Sequence, residues 1–307
     1  MIWSGPAFRW FAWAALLAGL TGCAMHRSAA TGDSELRAAT TAAQLAYAQD
    51  RIELAAQLYA RALTRARAMD DAAAIADAAY NLGACLTELG QYSRALVQLD
   101  EAEGEARRAG RPIVDILLVK ATVLRLQKKP AAAMSLAEQI LNHDPPPSNI
   151  ERAQAYLVKA EASCDAGDSA DAENALRRLK SVTISSPVLR ARLIGAIAAT
   201  WWLEKDWKAA ADEFDRAADA ARVAHRYSLM SSDLADAGRS YEAAKNEGLA
   251  ADRYYRAARA AYGLGDPTGA LKLLSASQAA AKTAGASALA ARADALSAEI
   301  TNAAAKQ

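Results

Sequence analysis

Residues 80–102 read Tyr-Asn-Leu-Gly-Ala-Cys-Leu-Thr-Glu-Leu-Gly-Gln-Tyr-Ser-Arg-Ala-Leu-Val-Gln-Leu-Asp-Glu-Ala. Leu82, Leu86 and Leu89 recur at steps of four and three, and Leu96 and Leu99 at a step of three after the break at Gly90. That spacing puts one apolar stripe on each of two helices. The small residues Gly83, Ala95 and Ala102 fall where two such helices must approach each other. The stretch therefore predicts a helical hairpin that turns at Gly90.

The hairpin is repeated. Aligning the small residue that opens each second helix gives Ala55, Ala95, Ala133, Ala172, Ala210 and Ala250, at intervals of 40, 38, 39, 38 and 40. A period of this size is the mark of a solenoid, in which each unit buries its apolar face against its neighbours. Other copies keep small residues at the close approaches, as at Ala121, Ala160, Ala198 and Gly238 in first helices and Ala62, Ala217 and Ala257 in second helices. Boundary signals agree: Ser148 with Glu151 forms a capping-box pattern, Asp266-Pro267 supplies an N-cap and first-turn proline, and Pro145-Pro146-Pro147 ends a helix. After Ala250 the period breaks, because Asp266-Pro267 opens a helix only about twenty residues later. A seventh, capping hairpin is expected there, with helices over about 267–284 and 286–304.

Tyr80-Asn81-Leu82-Gly83, with Leu86, Gly90, Tyr92, Ala95, Leu99 and Ala102, resembles a tetratricopeptide repeat. The tryptophan of that family's pattern is replaced, by Ala79, Leu117, Tyr156, Ile194 and Leu234 in successive units. Units near 39 residues exceed the family's usual ~34, which implies helices or turns longer by about one turn in total. The resemblance implies an all-α, right-handed α-solenoid of about seven hairpins over residues 34–304, an arc roughly 70 Å long if helices stack about 10 Å apart. It also implies a concave groove lined from first helices, which the alignment maps to Tyr80, Arg125, Glu161, Arg192, Trp202 and Arg239. Trp201 and Trp207 align with packing positions, whereas Trp202 is expected to face the groove. Guanidinium groups beside aromatics suit an extended peptide or its carboxylates.

The N-terminus carries a separate signal. Arg9 precedes an apolar run from Trp10 to Leu20, eleven residues where a bilayer span needs about 20. The run closes in Leu20-Thr21-Gly22-Cys23. A basic residue, a short apolar segment and small residues before a nucleophilic thiol read as a cleaved secretory signal. The ending resembles the lipobox of bacterial lipoproteins, which implies cleavage after residue 22 and lipid attachment at Cys23. Several acyl chains would give stable membrane attachment. Ala24 in place of aspartate implies delivery to the outer membrane, facing the periplasm. Residues 23–33 are then the lipidated cysteine and a flexible tether.

Composition narrows the partners. Without residues 1–22 the chain holds 35 basic and 35 acidic side chains, since Arg9 is the one charge removed from 36 and 35. Such a balance gives no footprint for nucleic acid. His26, His143 and His225 have no metal-ligand spacing. Cys85 and Cys164 fall two repeats apart, about 20 Å by helix spacing, too far for a disulfide. No phosphate loop, nucleophile elbow or paired-histidine motif occurs. No cofactor, metal or catalytic residue is expected. The basic clusters Arg107-Arg108-Arg111 and Arg177-Arg178-Lys180 lie at predicted helix ends, where they would offset the helix dipole and meet free carbonyls. The expected function is a lipid-anchored envelope scaffold binding a protein or peptide. The competing readings are a solute- or lipid-handling accessory with the superhelix as its cavity, and a regulator of an envelope enzyme.

Overall fold

A computed structural model describes residues 33–179 and 184–304. The leader, Leu20-Thr21-Gly22-Cys23 and the tether up to Gly32 lie outside the described residues. Fourteen helices run through the described residues: α1 Ser34–Ala48, α2 Ile52–Ala68, α3 Ala72–Glu88, α4 Tyr92–Arg108, α5 Val114–Leu126, α6 Pro130–Leu141, α7 Asn149–Ala166, α8 Ser169–Leu179, α9 Pro187–Leu203, α10 Trp207–Val223, α11 Tyr227–Ala243, α12 Glu247–Gly263, α13 Pro267–Thr283 and α14 Ser287–Ala304. The fold is an all-α helical repeat of solenoid type, as the period predicts. Residues 33–155 with 184–189 form one compact unit, and 156–179 with 190–304 form a second.

The repeat length follows from the turns. At eleven junctions a residue with positive φ ends one helix, from Asp50, Asp70, Gly90 and Gly110 in the first unit to Lys245, Gly265 and Gly285 in the second. At Gly90, where φ is 70°, the backbone N–H donates to the Thr87 carbonyl and that of Gln91 to the Leu86 carbonyl, so the last carbonyls of α3 are satisfied. Helices such as α3 and α4 have 17 residues and are joined through three, Leu89 to Gln91, which gives twenty per helix and forty per hairpin. The extra length over the family's usual unit therefore lies in the helices.

Each phasing alanine is the fourth residue of its helix, and Ala55, Ala95, Ala133, Ala172, Ala210 and Ala250 are all fully buried. The expected break after Ala250 is not there. Ala290, forty residues on, is again the fourth residue of its helix, α14, while the helix opened by Pro267 is the first of its hairpin. Ala290 is half-buried.

Gly83 and Gly238 show why small residues recur. A Cβ on Gly83 would lie 2.8 Å from Leu99 Cγ, and one on Gly238 2.8 Å from the Tyr254 ring. In each pair the second residue follows the first by sixteen, and the same step separates buried Ala43 from Tyr59 and Ala198 from Phe214. A large side chain on the second helix thus fills the room that a small residue leaves on the first.

Capping follows the sequence signals. Ser148 and Glu151 exchange backbone-to-side-chain bonds of 2.6 and 3.3 Å, and Asp266 accepts from the Gly269 N–H at 2.8 Å. Asp33 is no part of a tether: its carboxylate accepts from the Leu36 N–H at 2.7 Å and pairs with Arg65 at 2.6 Å, fixing the start of α1. Those hydrogen bonds, from Arg65 first, hold the Asp33 carboxyl below its usual range. The basic clusters stand at the ends of α4 and α8 as expected, with Arg107, Arg108, Arg177 and Arg178 in the last turns. Their side chains mostly meet carboxylates: Arg107 meets Glu103, Arg108 meets Glu105 and Asp70, Arg177 meets Glu173, and Arg111 meets Asp77 and donates to the Ala73 carbonyl of α3. Lys180 lies outside the described residues.

Candidate partner-binding surface

The six residues mapped to a groove do not share one character. Tyr80 and Arg125 belong to the first unit; Glu161, Arg192, Trp202 and Arg239 belong to the second. Tyr80 is 7% exposed and packs in the apolar core of its unit with Ala76, Leu86 and Leu99, so it is a core side chain. Arg125 is half-buried in the last turn of α5. Arg239 is exposed and pairs with Asp236 one turn earlier on α11.

Glu161 and Arg192 are brought together. From α9, Arg192 Nε donates to Glu161 Oε1 at 3.0 Å and Nη2 donates to Oε2 at 2.7 Å, a two-point bridge to α7. The Glu161 side chain is 12% exposed and that of Arg192 25%. Partial desolvation makes such a bridge stronger than a surface pair, and one-sided removal takes the two-point partner from a largely buried carboxylate. Arg192→Met is expected to cost about 1–2 kcal/mol, less than a fully buried pair because water still reaches the guanidinium. Urea unfolding of wild type and variant checks it, with Glu161→Gln/Arg192→Met expected to recover part of the loss.

The tryptophans reverse the assignment made from alignment. Trp202 packs on Trp207, with ring centroids 4.7 Å apart and planes at 60°, and lies against the core formed by Ala198, Ala210 and Phe214. Trp201 is the exposed one, at 39%. The one-residue slip of about 100° on a helix suffices to exchange the two faces.

Two groups on α11 escaped the sequence reading. Asp233 sits on the buried face of α11, 5% exposed, and its Oδ2 is buried without a hydrogen-bond partner among the described residues. Burial pushes its carboxyl up to about 8, and the negative charge of Glu161 adds to the rise. Two turns along, Tyr241 Oη donates to Asp215 Oδ2 at 3.0 Å and lies 3.2 Å from Asp212 Oδ1. Arg253 of α12 grips Asp215 through Nε and Nη2 at 2.7 and 2.8 Å and covers the Tyr241 ring at 5.5 Å. Burial and the Asp215 charge hold the Tyr241 phenol above its usual range, while the hydrogen bond to Asp215 holds Arg253 firmly charged. This second group is fully partnered and ties α10, α11 and α12 together. A signal for Asp233 was present: Met230, Asp233, Leu234, Ala237 and Tyr241 place an acid at a core position of the helical stripe.

Two shallow depressions are seen among the described residues. Depressions of about 500 and 400 Å³ lie over turns, one lined by Gly90, Tyr92, Arg94, Gln127 and Lys129, the other by Gly285, Ser287, Leu289 and Arg292. Cys85 is buried and Cys164 half-buried, with its sulfur 3.7 Å from Thr200 Oγ1, and neither forms a disulfide. No helix among the described residues is long and apolar enough to cross a membrane.

By sequence, no family model and no curated protein matches the chain. Solved structures do match its fold. A Rap protein complexed with competence and sporulation factor superposes with a TM-score of 0.59 at 13% identity, covering 91% of this chain and 78% of that one. The apo form of RapI gives 0.52 at 12% identity over 87% and 76%. A signal transduction ATPase with numerous domains and a tetratricopeptide repeat sensor, from Pyrococcus horikoshii, gives 0.54 at 16% identity, over 88% of this chain but 43% of that chain. At these identities the likeness is one of fold.

Proposed function

We propose that the protein is a lipid-anchored scaffold of the bacterial envelope that holds another protein or a peptide against the first-helix faces of its repeats. The observation that carries the binding half is the fold itself, a stack of hairpins of the same architecture as the Rap protein solved with competence and sporulation factor bound. A repeat array offers extended surface rather than an enclosed pocket, which suits a chain-like ligand. The charged groups presented from successive first helices, Glu161 and Arg192 among them, would fix its register.

The anchoring half rests on Leu20-Thr21-Gly22-Cys23 and the short apolar run before it. With acyl chains on Cys23 the array would be held at the outer membrane on its periplasmic side, which confines its partners to the envelope. Two measurements test the two halves separately. Labelled palmitate should enter the wild-type chain and not Cys23→Ala; equal labelling would remove the anchor. Crosslinking in the native envelope should recover the same few chains reproducibly with the wild type and fewer with Cys23→Ala. A random set of envelope proteins from both forms would count against a dedicated scaffold.

A further inference from the structure

The two surface depressions differ in charge. The one of about 400 Å³ is lined by Asp252 as well as Arg292, and Arg292 already covers the Tyr255 ring at 4.6 Å. The one of about 500 Å³, between the turn that opens α4 and the turn that opens α6, is lined by two cations, Arg94 and Lys129, and by no acidic side chain. It is open to solvent, and its volume is in the range of sites that take a small molecule or a group carried on a larger one.

Nothing described in the protein offsets those two charges. In the same unit Arg65, Arg67, Arg107, Arg108, Arg111 and Lys120 each meet a carboxylate. Arg94 and Lys129 form no ion pair among the described residues; Arg94 Nη1 donates to Gln91 Oε1, a neutral acceptor, which positions the guanidinium and leaves its charge uncompensated. Glu88, the acid next in sequence to the depression, is held by the Tyr47 hydroxyl of α1. The amide acceptors of the lining are also occupied or turned in, since Gln91 Oε1 takes the bond from Arg94 and Gln127 Oε1 is buried. The charged groups that the depression offers to solvent are therefore all donors.

We propose that this depression receives an oxyanion, a carboxylate or a phosphate group, held by Arg94 and Lys129. Charge complementarity commits the site to an anion: an incoming cation would meet two like charges with no acid to balance them, whereas an oxyanion accepts charge-assisted hydrogen bonds from both. The guanidinium offers a planar fork and the ammonium a point charge, a pair that suits an oxygen cluster of either kind. Both side chains are exposed, so either alone would hold an anion weakly in water, and binding depends on the two acting together. The site stands apart from the first-helix faces and from the lipid anchor, and neither is needed for it.

The test titrates the full chain at pH 7 and low ionic strength with sodium phosphate and, separately, with acetyl-Gly-Gly-Gly bearing a free C-terminal carboxylate, whose C-terminal amide is the uncharged control. Calorimetry should show a dissociation constant of about 1 mM or tighter for at least one of the two anions. Binding of phosphate alone assigns the site to phosphate groups, and binding of the peptide but not its amide assigns it to carboxylates; either supports the proposal. Arg94→Gln and Lys129→Gln change exposed side chains and should keep the wild-type urea midpoint, yet each should weaken binding about tenfold. Lys272→Gln, at an exposed lysine of α13, should leave binding unchanged. Neither anion bound, affinity within about twofold of wild type in Arg94→Gln or Lys129→Gln, or an equal loss in Lys272→Gln overturns the proposal. Crosslinking to an envelope partner reads a different surface, so either reading can fail while the other stands.

Discussion

Asp233→Asn should make the protein more stable than the wild type at pH 8 and leave it nearly unchanged at pH 4. An aspartate in the unfolded chain ionises near 3.9, whereas in the fold this one is pushed up to about 8, by burial first and by Glu161 second. Between those values the folded state binds the proton that the unfolded state has released. Stability is then fully present below pH 4, falls by about 1.4 kcal/mol per pH unit as pH rises, and levels off above pH 8. By pH 7 the accumulated cost approaches about 4 kcal/mol, a large share of the margin of an ordinary domain. Asparagine keeps the shape and carries no titration, so its curve should stay level across the window.

The difference between wild type and variant isolates Asp233 from other groups, including Glu204, whose carboxyl is also raised, by burial first. Asp33 and Glu103 have lowered values and lose their contribution only as pH falls below the ordinary carboxylate range, which is the opposite sign and the other side of the window. They are also common to both proteins, and the difference between wild type and variant removes them. Urea midpoints at pH 4, 6 and 8 suffice. A wild-type curve that stays level between pH 4 and pH 8, or an asparagine variant less stable at pH 8, would show that the carboxyl titrates as it does in water.

What the sequence made legible was what repeats make periodic. Gly83, Leu86, Leu99 and the six phasing alanines encode helix faces through spacing alone, and spacing survives without coordinates. The last hairpin was legible as a hairpin, but its place in the forty-residue phase escaped because its marker, Ala290, stands in a helix so rich in alanine that the register has no contrast. Side-chain roles were harder to read because they depend on rotation within a turn. Trp201 and Trp202 are adjacent in sequence, yet one is exposed and the other packs on Trp207. Tyr80 fell to the core because its ring helps fill the space between α3 and its neighbours. Glu161 and Arg192 were each named for the groove, but their meeting depends on the fold across 31 residues of chain. Asp233 was passed over because an acid on an apolar stripe looks like noise until its neighbours are known.

Leu99→Ala should cost about 2–5 kcal/mol, the usual range for emptying a fully buried leucine site, and it should reverse the effect of a second change. Leu99 is completely buried and lies where a Cβ on Gly83 would come within 2.8 Å of its Cγ and 2.9 Å of its Cδ2. Both are closer than van der Waals contact allows, and Ala95 O at 3.4 Å limits any retreat toward α4. Gly83→Ala alone sets a helix gain of about 1 kcal/mol against overpacking of about 1–3 kcal/mol, so a net loss is expected. Once Leu99 is alanine the clash is gone, the new methyl enters the cavity and only the gains remain. Gly83→Ala should then stabilise by about 1 kcal/mol, so the cycle shows a coupling of order 2 kcal/mol. Urea unfolding of the four proteins at one pH measures it. Effects that add within about 0.5 kcal/mol would mean that α3 and α4 can slide apart freely at this level, and that small residues recur in the first helices for a reason other than the large side chain sixteen residues on.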